Sequence, residues 1–186
     1  METAQSTAEQ VWTNIAIGLG SGVVASVLAS AAFFFMLYKL RPSIDISPEI
    51  ARTRMPEGDI AFRIKIINRS RFPALDLQIA VYRMKPRGVT GGQVSSSKQL
   101  NTRHSFVPVL GKYKKKDPKA DYALRFRIVD DVDREWTSDD AEYLQLRIAA
   151  RHGFSGAFGT FHKEYYTKKN AIKDGQFAFG DNFAIS

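Results

Sequence analysis

His162-Lys163-Glu164 sets a histidine two residues before a carboxylate, the spacing at which a zinc deaminase pairs a metal ligand with a proton carrier. That chemistry also needs a Pro-Cys-x-x-Cys segment to complete the metal site, and the chain contains no cysteine. The same absence excludes a thiolate nucleophile and any Cys-based zinc site. Gly153-x-Ser155 opens like a nucleophile elbow, but Ala157 stands where the second glycine belongs and the flanking pattern runs strand to strand. His104, His152 and His162 are well separated and follow no metal spacing. Asp130, Asp131, Asp133, Asp139 and Asp140 crowd one segment without the Gly and terminal Glu of a calcium loop. They read as a solvated acidic turn, suited to meeting basic loops of a neighbouring subunit. The expectation is a protein that is not an enzyme and carries neither metal nor cofactor.

The cations are more informative. Lys112, Lys114, Lys115 and Lys116, with Lys119, form the densest positive run of the chain around Tyr113. Such a run serves either as a solvated loop or as a contact for an anion, a lipid headgroup or a nucleotide phosphate. All 27 basic residues follow Tyr38, whereas Glu2 and Glu9 precede it, so the part after Tyr38 is more basic than the net charge of +8 for the whole chain. Beside an anionic leaflet each nearby Lys or Arg contributes about 1 kcal/mol of attraction. The partners expected are a bilayer with anionic lipid, further copies of the chain and an anionic small molecule; duplex nucleic acid is not among them.

These residues must be held by two kinds of element. Val11 to Tyr38 carries no charge, and at ~1.5 Å per residue a helix of that length crosses a hydrocarbon core roughly 30 Å thick. A cleaved leader would have a basic start and a shorter apolar core, so a retained span is expected. No Lys or Arg precedes the span, while Lys39, Arg41, Arg52 and Arg54 follow it, which places the C-terminal part in the cytoplasm of a single-pass protein of the cell inner (plasma) membrane. Gly18, Gly22, Ser26 and Ser30 recur every fourth residue, a small-residue stripe of the kind through which spanning helices associate. Trp12 and Tyr38 sit where interfacial aromatics anchor a helix. The expected organisation is an extracytoplasmic N-terminus over 1–10, a transmembrane helix over 11–38, a juxtamembrane segment over 39–58 and a β-domain over 59–186.

After the span the period becomes two. Ile60, Phe62, Ile64 and Ile66 alternate with Ala61, Arg63 and Lys65, and Leu75, Leu77, Ile79 and Val81 alternate again. Further strands are expected over 43–47, 105–110, 122–129, 143–151 and 161–167, with a short one over 177–179. Gly88 to Lys98, rich in Gly and Ser, reads as a flexible loop, and Gly153 to Gly159 as a hairpin connection. Strands of this number without an intervening soluble helix predict an all-β, immunoglobulin-like β-sandwich preceded by one N-terminal transmembrane α-helix.

The order of these segments resembles a family. Lys39-Leu40-Arg41-Pro42, then Ile44, Ile46 and the strand ending Ile66-Ile67-Asn68, resembles the Arg-Pro junction and first cytoplasmic strands of inward-rectifier potassium channels. Leu75 to Met84, Leu124 to Asp131, Glu142 to Ala150, and Phe161 to Tyr166 with Ile172, Gly175 and Phe177 continue the likeness in the same order. The departures are equally plain. There is one span, no pore helix and no Thr-Val-Gly-Tyr-Gly filter, so selective potassium conduction is not expected. Val129-Asp130 stands for the family's His-Pro pair and Asp174 for its Trp before glycine. The resemblance implies a module that assembles around a fourfold axis, couples ligand or lipid binding to its helix, and contacts lipid through Lys39 and Arg41. The function expected is a β-domain that self-associates and senses, gates or scaffolds at the bilayer. The alternative is a membrane-disrupting effector gated by an anionic, nucleotide-like ligand.

Overall fold

The computed structural model describes residues 2–115, 117–137 and 141–186. The chain divides into two compact units, one ending at Leu40 and the other spanning Arg41–Ser186. The first is a single helix, α1 (Glu2–Lys39), so residues 2–10 are helical too. Its stretch Trp12–Lys39 is long and apolar enough to cross a membrane, and none of that stretch is buried by protein. An α-helix satisfies its own backbone groups internally, which lets an apolar chain of this length stay folded without protein around it, in lipid.

The second unit is mostly β. In chain order it contains β1 (Ile44–Ile46), β2 (Ile50–Arg54), β3 (Ile60–Asn68), β4 (Ala74–Val89), β5 (Gly92–Leu100), β6 (Phe106–Leu110) and β7 (Ala123–Ile128). A one-turn α2 (Val132–Glu135), β8 (Tyr143–His152), β9 (Phe158–Tyr165), a one-turn α3 (Lys168–Ala171) and β10 (Ile172–Asp174) complete it. One five-stranded sheet runs β1-β3-β2-β10 with β7 also on β3; the other runs β5-β4-β8-β9 with β6 also on β4. The pairings are antiparallel except β10 on β2.

Alternation explains the core. Phe62, Ile64 and Ile66 of β3 share one cluster with Leu77, Ile79 and Val81 of β4 and Leu144, Leu146 and Ile148 of β8. Successive strand residues point to opposite faces, so each strand delivers every second side chain to the interior, each contributing about 1.5–3 kcal/mol when fully buried. Trp136, just past α2 and 1% exposed, closes this core and donates its Nε1–H to the carbonyl of Glu142 at 3.1 Å.

The outer face of β3 breaks the pattern. Lys65 is 1% exposed and Ile67 is also buried, because the chain end folds back over them. Residues 176–186 form a narrow strap closed by bonds from the Ala178 N–H to Ala184 and between Gln176 and Ser186. Of the expected strand 177–179, Phe177 alone makes a bridge, to Ile185. The Lys65 ammonium donates to the carbonyls of Ala178 and Asn182, both at 2.7 Å, and Phe183 packs with Ile67, Ala120 and Tyr122.

β1 falls within the strand expected over 43–47, and β2 is a strand that no local pattern announced; hydrogen bonds to β3 draw both into the sheet. One sequence expectation is corrected. The expected loop from Gly88 to Lys98 is the distal part of the β4–β5 hairpin, paired from Val89↔Gly92 to Val81↔Leu100. Most of its described side chains are exposed, so no apolar alternation marks it; backbone pairing holds it, and Gly91 supplies a positive φ of 96° in the turn.

Candidate functional site

The strand register gathers one set of loops at the end of the β unit where the chain enters it. Ile44 pairs with Asn68, Ala74 with both Leu110 and His152, Ile67 with Ala123, and Arg151 with Phe158. The entry segment and the loops 69–73, 111–122 and 153–157 are therefore neighbours. Hydrogen bonds fix their order: the Arg69 N–H donates to the Ser43 carbonyl at 2.7 Å, Tyr113 N–H to Ser70 at 3.0 Å and Gly153 N–H to Pro73 at 2.9 Å. Asn68 staples two of them, its Nδ2 donating to the carbonyls of Phe72 (2.9 Å) and Gly111 (2.8 Å).

The lysine run lies in the 111–122 loop. Tyr113 turns inward, where its hydroxyl donates to Asp181 Oδ2 at 2.8 Å, its ring meets Tyr122 edge to face, and the Arg69 guanidinium lies 5.4 Å from the ring centroid. That donation, helped by Arg69 and Lys115, holds the Asp181 carboxyl below the ordinary carboxylate range. With Tyr113 as anchor, Lys112, Lys114 and Lys115 stay exposed, as does Lys119. Lys116 lies outside the described residues. The loop thus presents cations on a fixed base, an arrangement able to attract phosphate or carboxylate groups.

The remaining expected sites fall in different places. Arg41 is exposed at the start of the β unit, and Lys39 closes α1 with its ammonium 5.6 Å from the centroid of the Phe35 ring. On α1, Gly18, Gly22, Ser26 and Ser30 are all exposed, and a Cβ added at Gly18 or Gly22 would meet nothing within 4 Å. A second helix therefore has room to approach there.

Comparison with known proteins adds no family: no family model matches the chain, and no curated protein matches its sequence.

Several of the described residues with possible chemistry sit in local hydrogen-bond networks. His152, buried, accepts the Ser155 N–H at Nδ1 (3.2 Å), with Ser155 Oγ 3.1 Å away; that hydroxyl in turn accepts the Ala157 N–H. This network closes the β8–β9 turn, and burial holds the imidazole below its usual pKa. His162 is exposed on β9, while Glu164 accepts from Gln145 Nε2 and from the Tyr166 hydroxyl. Asp130 accepts from the backbone and side chain of Asn101, Asp131 caps α2, and Asp133 lies 3.0 Å from Lys168 Nζ and 3.6 Å from Arg52. Asp133 is thereby paired with two cations, while Asp130 and Asp131 are held by amide donors. Asp139 and Asp140 lie outside the described residues. No group of three or more His, Asp or Glu positioned to hold a metal occurs among the described residues.

One basic feature escaped the sequence. Beside β10 a cavity of about 770 Å³ is lined by Arg52, Arg54, Asp174 and Gln176. Arg52 is engaged there by Asp174 in a fork, 2.6 and 3.0 Å. Only the parallel pairing of β10 with β2 brings these distant residues together, and no local pattern announces it.

Proposed function

We propose that this is a single-pass protein of the cell inner membrane whose β unit faces the cytoplasm, self-associates, and senses, gates or scaffolds at the bilayer. In this reading the β unit is an immunoglobulin-like sandwich of the inward-rectifier cytoplasmic type, possesses no catalytic machinery, and assembles through the Gly18, Gly22, Ser26 and Ser30 stripe, with four copies the number that the family resemblance implies. The observation that carries it is the junction: an uncharged helix with no protein cover reaches Lys39, and by Ile44 the chain is paired in a sheet. Lys39 and Arg41 then stand at headgroup depth and contact anionic lipid. The test is the mass of the detergent-solubilised full chain together with cross-linking of a Gly18→Leu, Gly22→Leu variant. The reading expects a native oligomer that the variant weakens; a monomer of native chain sinks it.

A second reading is favoured by the anchored lysine loop. Here an anionic, nucleotide-like ligand binds Lys112, Lys114 and Lys115, with Lys116 in the same run, and the helices cluster to breach the membrane. Dye-loaded vesicles carrying the full chain would leak on addition of nucleotides, and a Lys112→Gln, Lys114→Gln variant would not respond. Vesicles that stay sealed under every nucleotide tried, at saturating concentration, leave the first reading alone.

A further inference from the structure

The entry end of the β unit carries apolar side chains that its own core does not use. Phe154, at the tip of the β8–β9 turn, is 67% exposed although it stacks on Phe72 at 5.0 Å; Phe158, at the start of β9, is 61% exposed. Val109, 58% exposed, lies on the same cross-strand rung as Phe158, since Val109 pairs with Leu75, Leu75 with Arg151 and Arg151 with Phe158. Single exposed apolar side chains are ordinary, whereas several gathered at one end of a domain and rimmed by polar groups mark a surface that meets something apolar. Around them stand exposed cations: Arg71 in the adjoining loop, and Lys112 and Lys114 in the loop bonded to it through Ser70.

We propose that this end, with Phe154 and Phe158 as apolar contacts and Arg71, Lys112 and Lys114 as the charged rim, docks on the anionic headgroup layer of the bilayer. The inference rests on α1 spanning that bilayer. Chain length then supplies the second argument. From Lys39, the last residue of α1, to Pro42, which packs on Gly159 of β9, there are three residues, and three residues span at most roughly 11 Å. Whatever angle the two units adopt, loops bonded to the entry segment cannot be far from the lipid surface. Aromatic rings with an apolar body favour the interfacial layer, and basic side chains favour an anionic one. A second copy of the chain would satisfy the rings but would have to bring acids to this rim.

The absence of native cysteine permits single-site labelling of the full chain reconstituted in vesicles. An environment-sensitive fluorophore is placed at Ala157→Cys beside the two rings, at Val24→Cys in mid-span, and at Ser96→Cys on the hairpin at the opposite end. In vesicles of phosphatidylcholine with phosphatidylglycerol, the label at 157 should be blue-shifted and quenched by nitroxide lipids, the more so at low salt, while the label at 96 remains water-like. Phe154→Ser with Phe158→Ser should abolish the response at 157 with little change in thermal unfolding, and Lys112→Gln or Lys114→Gln should each lower the docked-to-undocked ratio about fivefold. A water-like label at 157 beside a quenched label at 24 overturns the docking and leaves the spanning helix intact. A water-like label at 24 in protein extractable by carbonate overturns both. A response at 157 that follows protein concentration in detergent, and not lipid charge, overturns the docking in favour of contact between copies.

Discussion

Pro42 lies against Gly159: a Cβ built on Gly159 would stand 2.8 Å from Pro42 Cγ and 3.3 Å from the Phe161 ring. The chain therefore enters the β unit across the backbone of β9, and a residue without a side chain makes room for it. Two rigid rings bound that space, so neither neighbour yields cheaply. Gly159→Val should cost about 1–3 kcal/mol by overpacking. Denaturant unfolding of the full chain checks this, and a variant as stable as the native protein would show that the entry segment shifts freely.

Lys65 ties the chain end to the sheet. Burial pushes its ammonium below its usual pKa, and the Arg125 guanidinium beside it adds to the effect, yet the groups it donates to, at Ala178 and Asn182, are neutral carbonyls of the strap. Lys65→Met keeps the apolar stem and strands those carbonyls, at a cost of about 1–3 kcal/mol. Hydrogen exchange should show faster opening over 176–186 with the core strands unchanged. Uniform protection in variant and native protein would show that Phe177 and Phe183 hold the strap alone.

His152 sets a direction for acid sensitivity. Its folded pKa lies below the 6.5 of a free imidazole because burial disfavours the cation, so as pH falls below about 6.5 the unfolded chain takes up a proton before the folded one does. Stability should fall with pH through that window and level off once the folded imidazole also titrates. His152→Asn should flatten the fall in the midpoint of urea unfolding between neutral and mildly acid pH. An unchanged slope would assign the acid sensitivity to other groups.

Trp136 combines volume with one hydrogen bond. Trp136→Phe removes the donor to the Glu142 carbonyl and leaves a small void under α2, together costing about 1–3 kcal/mol. Thermal unfolding should report a single transition at lower temperature, and an unshifted transition would mean that the site collapses around the smaller ring.

The length of a charge-free run was enough to locate the apolar helix, and alternation was enough for much of the strand order. A charge-free run has one stable solution in lipid, and alternation such as Phe62, Ile64, Ile66 against Ala61, Arg63, Lys65 has one face to bury. The sequence also located the lysine run, because charge density is a local property. Local pattern was silent on β2 and β10, whose pairing joins residues such as Arg52 and Asp174, and on β5, whose two faces are solvated and leave no apolar period. The burial of the outer face of β3 was likewise decided at a distance: Lys65 is covered by the strap, more than 100 residues later, which supplies carbonyls for it. The gathering of Phe154, Phe158, Arg71 and the lysines at one end was decided by strand register. Register is a relation between distant segments, fixed only when both sheets close on their common core.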